Sequence, residues 1–139
     1  MRDIVVVRDV AYPREMVWEA LTDSRQLAAW LMPNDFRPEV GHRFTFTTKP
    51  APGFDGVVRC EVLDLRAPDR LVFTWKGGAL DTVVSFDLAD TAAGTRITLS
   101  HAGFAGASNL LPRVVLGFGW KSLLSRKLVS HLERARHGA

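Results

Sequence analysis

Between His42 and His101 the chain holds five short runs with every second residue apolar, separated by four clusters of turn formers. HRFTFTT puts Phe44 and Phe46 on one side and Arg43, Thr45 and Thr47 on the other. VVRCEVLDL aligns Val58, Cys60 and Val62, and LVFTW aligns Leu71, Phe73 and Trp75. TVVSFDL aligns Val84, Phe86 and Leu88, and RITLSH aligns Ile97, Leu99 and His101. Successive side chains of a strand point to opposite faces, so each run has one apolar and one polar face. The closures KPAPGFDG, APDR, KGG and ADTAAGT are rich in Gly, Pro and Asp, which favour tight reversals. The pattern predicts an antiparallel meander with one buried face, and that face needs a cover.

The flanks supply the rest of the fold. VVVRDVAY reads as a further strand. YPREMVWEALTD predicts a helix with Pro13 in its first turn, Glu15 near its positive end, and Val17, Leu21 and Trp18 on an apolar face. SRQLAAWL predicts a second short helix capped by Ser24, and MPNDFRPEVG reads as a loop. Near the end, in LGFGWKSLLSRKLVSHLE, Trp120, Leu124, Leu128 and Leu132 recur at four-residue spacing, and Leu123 widens the stripe. Lys121, Ser122, Ser125, Arg126, Ser130 and Glu133 fall mainly on the other side. This predicts an amphipathic helix able to cover the sheet. The expected architecture is α+β, one domain over residues 1–139: about six strands in a curved antiparallel sheet, two short helices after strand one, and a long C-terminal helix. The space between such a sheet and its helix is a place for a small apolar ligand.

Charge and composition exclude several function classes. The net charge is +3, but residues 113–136 hold six Lys or Arg against Glu133 alone, leaving the rest near −2. The basic residues are not interleaved with exposed aromatics, so a solvated helix face is expected rather than a nucleic-acid site. With Cys60 alone, no intramolecular disulfide can form, and a reducing cytoplasm is the expected location. MRDIVVVRDV is too short and charge-broken for a signal peptide, and LLPRVVLGFGW is too short for a membrane span. His42, His101, His131 and His137 lack metal-ligand spacing, and no phosphate-binding glycine loop or nucleophile elbow occurs. Neither a metal nor a cofactor is expected.

The order of these landmarks resembles a known family. YPREMVWEALTDSRQLAAWL, then LVFTW before a turn, TRITLSHAGF, and GWKSLLSRKLVSHLE resemble the SRPBCC (START-like, birch-pollen-allergen-like) superfamily. Within it they are most similar to the activator of heat-shock-protein-90 ATPase homologue group. The resemblance covers essentially the whole chain and implies the helix-grip fold, a sheet wrapped around its C-terminal helix. It also implies hydrophobic or lipid ligand binding and a link to the stress response. Two features depart from the group's pattern: Leu31-Met32 follows Trp30 where a second aromatic is usual, and NLLPRVVLGF replaces a polar segment before Gly119-Trp120.

On that fold, the residues expected to line a ligand site are Trp30, Phe46, Trp75, His101, Phe104, Phe118, Trp120, Leu124 and Leu128. His101 continues the inward set of Ile97 and Leu99, where a neutral imidazole orients a ligand, moves a proton, or is satisfied structurally. Cys60 reads as a buried structural thiol, and Asp35 and Arg37 as loop residues near an entrance. NLLPRVVLGF reads as a lid, a self-association patch that makes a homodimer, or core. The leading expectation is binding of a small hydrophobic or aromatic ligand, with no catalysis. The alternatives are a cyclase- or aromatase-like enzyme using His101 as acid–base, and a co-chaperone-like module that binds a heat-shock ATPase.

Overall fold

The computed structural model describes residues 2–138. The alternating runs become strands, joined as one open, curved antiparallel sheet in the order β1-β6-β5-β4-β3-β2. The strands are β1 (Ile4–Val10), β2 (Arg43–Thr47), β3 (Val57–Arg66), β4 (Arg70–Gly77), β5 (Leu80–Asp90) and β6 (Thr95–Ala102). The first strand closes onto the last, with Ile4 opposite His101 and Val10 opposite Thr95. A shift in pairing between Val62 and Asp64 bends β3 against β4, as an inserted residue does in an antiparallel ladder. The predicted inward sets are all buried, including Phe44, Phe46, Cys60, Phe73, Trp75, Phe86, Leu99 and His101.

Helices α1 (Arg14–Thr22) and α2 (Ser24–Trp30) follow β1. Pro13 stands at the N-cap of α1. The cap of α2 is Asp23 rather than the predicted Ser24: the Asp23 carboxylate accepts from the backbone N–H of Arg25. Asp23 holds the extended backbone that a cap needs, which places Ser24 inside the helix. The loop before β2 is pinned at Asp35, whose carboxylate accepts from the Thr45 backbone N–H at 2.7 Å.

The C-terminal helix begins earlier than the leucine spacing predicts. It runs as α3 (Leu110–Ser122), a π-turn (Leu123–Lys127) and α4 (Leu128–Gly138). Pro112 does not break it, because it sits in the first turn, where its missing N–H has no helical partner to lose. The π-turn explains how residues four apart share one face. In an uninterrupted α-helix, each four-residue step drifts by about 40°, or about 120° from Trp120 to Leu132. The wider turn absorbs that drift, and Trp120, Leu124, Leu128 and Leu132 are all buried against the sheet. Among the described residues, no helix is long and apolar enough to cross a membrane.

Candidate functional site

The inner end of the sheet under Trp120 is an aromatic cluster. Trp75 lies 5.8 Å from Phe46, 5.4 Å from His101 and 5.6 Å from Trp120, measured between ring centroids. Phe104 closes on His101 at 4.7 Å, and Phe86 meets Trp120 edge-on at 6.0 Å. These separations are those of rings in contact, so the rings fill the space that they enclose.

His101 is the polar element of this cluster, and it is fully buried. The Trp120 indole N–H donates to His101 Nδ1 at 3.0 Å. An indole nitrogen can only donate, so Nδ1 accepts and the ring proton sits on Nε2. Nε2 lies 2.7 Å from Thr82 Oγ1, whose own hydroxyl donates to the Trp75 carbonyl at 2.9 Å. The directions are consistent along the chain: Trp120 to His101 to Thr82 to the β4 backbone. Burial disfavours the imidazolium and lowers the His101 pKa to about 4. The imidazole is therefore neutral at ordinary pH, with both nitrogens engaged.

Of the nine expected lining residues, the structure brings Phe46, Trp75, His101, Phe104 and Trp120 together. Leu124 and Leu128 lie on the same buried face of the C-terminal helix. Trp30 is buried too, but its indole N–H donates to the Ala20 carbonyl at 2.8 Å and ties α2 to α1. Phe118 stands apart, 71% exposed on the outside of α3. Thr82 is the polar residue that the sequence reading missed. It lies two residues before Val84, on the same inward alternation, so the period alone would have placed it inside. Asn109 was missed as well: its amide donates to the Ala79 carbonyl and its carbonyl accepts from Ala105 N–H, anchoring the start of α3.

The remaining candidates are structural in their surroundings. Cys60 is buried, and its thiol is pushed up to about 12, chiefly by burial, with the charge of Asp35 adding to it. Two open concavities lie on the outer surface. One, of about 480 Å³, is on the outer face of β2–β4, among Asp35, Arg43, Thr45, Arg59, Glu61, Thr74 and Lys76. The other, of about 310 Å³, lies among Ala29, Arg126, Lys127, Ser130 and Arg134. None of the nine expected lining residues borders either. Among the described residues, no group of His, Cys, Asp and Glu is placed to hold a metal.

The segment over the aromatic cluster is held differently from the rest of the helix. Of the thirteen residues of α3, Trp120 is the buried one. Leu110, Leu111, Val114, Val115 and Phe118 face outward. The Arg113 guanidinium donates to the Arg2 and Asp3 carbonyls, a tether to exposed backbone at the start of β1. Gly103 and Gly106, at φ +101° and +78°, give the link from β6 to α3 backbone angles that other residues rarely adopt.

Comparison with known proteins places this arrangement. A search of curated proteins finds no match. Among solved structures, MLL2253 from Mesorhizobium loti is similar at 34% identity and a TM-score of 0.87, over 96% of this chain and 98% of that one. BH1534 from Bacillus halodurans is similar at 31% identity and a TM-score of 0.80, over 95% of this chain and 97% of that one. CalU16 from Micromonospora echinospora shares the fold at 23% identity and a TM-score of 0.78, over 98% of this chain and 79% of that one. The profile of the family described as activator of Hsp90 ATPase homolog 1-like protein matches residues 11–133. Five of the six strands, β2 to β6, and most of the C-terminal helix fall within that match, with β1 just before it, and the chain belongs to this family.

Proposed function

We propose that the protein binds a small hydrophobic or aromatic molecule between its sheet and its C-terminal helix, and that α3 is the cover that moves to admit it. One observation carries the reading: α3 buries Trp120 alone of its thirteen residues, yet it closes over an aromatic wall. A segment with so little buried apolar area opens at low cost compared with the sheet beneath it. Lifting α3 withdraws Trp120 from Trp75 and Phe86 and exposes apolar rings, which a ligand of similar chemistry would cover again. His101 then offers Nδ1, freed from the Trp120 indole, as an acceptor that orients a ligand hydroxyl or amine. Proton transfer is not part of this proposal: Nδ1 serves as an acceptor, and Thr82 engages the other nitrogen.

The test is titration of the folded protein with an apolar fluorescent dye. Saturable binding, about one dye per chain, is expected. Leu111→Ser, on the outside of α3, should leave it unchanged. Leu124→Trp, which adds bulk beneath the cover, should abolish it in a variant shown to be folded by circular dichroism. Dye binding lost in Leu111→Ser but retained in Leu124→Trp would assign the dye to the outer surface and overturn the reading.

A further inference from the structure

The outer face of the C-terminal helix changes character along its length. At about 100° per residue, Leu110, Leu111, Val114, Val115 and Phe118 fall within an arc of about 140°, opposite the buried Trp120. The same face continues through Ser122 to Arg126, whose guanidinium donates to Ser122 Oγ at 3.4 Å across the π-turn. It then reaches Ser130 and Arg134, which with Arg126 and Lys127 line the shallow basic concavity against α2. One helix face thus presents an apolar half followed by a basic half.

Among the described residues, the cations of the basic half lack carboxylate partners, as do scattered ones such as Arg8, Arg25, Arg37 and Lys49, but here they are gathered on one helix. On α1, Arg14 meets a carboxylate, and on the sheet Arg43, Arg59, Arg66, Arg70, Lys76 and Arg96 each do so. Among the described residues, Lys121, Arg126, Lys127 and Arg134 form no such pair. Five exposed apolar side chains beside four unpaired cations are complementary to a surface that is apolar at one depth and anionic at another.

We infer that this face docks on an anionic lipid bilayer. Leu111, Val115 and Phe118 enter the boundary between headgroups and acyl chains, and Arg126, Lys127 and Arg134 meet lipid phosphates. A second copy of the chain would cover the apolar half and leave the basic half without counter-charge; a bilayer satisfies both. This inference stands on the outer face of the helix and does not depend on a ligand inside the sheet.

The experiment is co-sedimentation of the full chain with vesicles of phosphatidylcholine mixed with phosphatidylglycerol, compared with phosphatidylcholine alone. Binding to the anionic vesicles is expected to be at least about tenfold stronger and to weaken as salt rises. Phe118→Ser should reduce it about tenfold, and the double variant Arg126→Gln/Lys127→Gln should reduce it about tenfold or more. All of these side chains are exposed, so the variants should remain folded. Equal or absent binding to the two vesicle types at low salt would overturn the inference. So would a dimer in light scattering that Phe118→Ser converts to monomer without a change in vesicle binding.

Discussion

His101 shows how one side chain sets a pH dependence. Its folded pKa, about 4, lies below the ordinary 6.5, so the unfolded chain takes up the proton first as pH falls. Stability is therefore unaffected by this group above about pH 6.5 and falls as pH drops toward 4, by at most about 1.4 kcal/mol per pH unit. His131, also lowered by burial, contributes in the same direction. His101→Gln keeps one donor and one acceptor for Thr82 and Trp120 but cannot titrate. Urea unfolding at several pH values should show a shallower loss between pH 6.5 and 4 in this variant; equal slopes would contradict the assignment. The inward position of His101 was legible because it continues Ile97 and Leu99 at period two. Its partners were not, because Thr82 and Trp120 reach it from elements distant in sequence, and alternation says nothing about which side chains meet. The helix cap shows a finer limit: Asp23 and Ser24 are both good caps, and only backbone geometry chooses between them.

At the scale of elements, the π-turn is the feature that the leucine spacing implies but does not announce. Four-residue spacing was legible as a buried stripe, whereas keeping it buried over Trp120 to Leu132 requires one turn wider than an α-helix. Deleting Arg126 would return the turn to α geometry and leave the later leucines near the same face, at a cost of about 1 kcal/mol or less. Inserting an alanine after Lys127 would rotate Leu128 and Leu132 by about 100° away from the sheet and should cost more than about 3 kcal/mol. Chemical denaturation of the two variants checks this, and equal stabilities would count against the role given to the turn. The start of the helix was hidden for a different reason. Pro112 and two glycines look like punctuation, but a first-turn proline is compatible with a helix, and Gly117 and Gly119 lie within α3.

For the whole molecule, the sheet order, its curvature and its helix follow from short alternating strands that must bury one face, and these were readable at once. Whether the space beneath the helix is open was not readable, because that depends on how Phe46, Trp75, Phe104 and Trp120 interlock rather than on their periodicity. Phe118 shows the same limit, since position in the chain suggested the interior and the helix phase puts it outside. By burial the molecule divides into the sheet, π-turn and α4, which bury the core side chains, and α3, which buries Trp120. The proposed function rests on that division.

Hydrogen exchange of backbone amides, measured with and without a saturating apolar dye, tests it most directly. The account predicts that residues 111–119 of the free protein exchange at least about tenfold faster than residues 124–132, and that bound dye slows the first group selectively. Equal protection of the two segments in the free protein, with no change on dye binding, would contradict it.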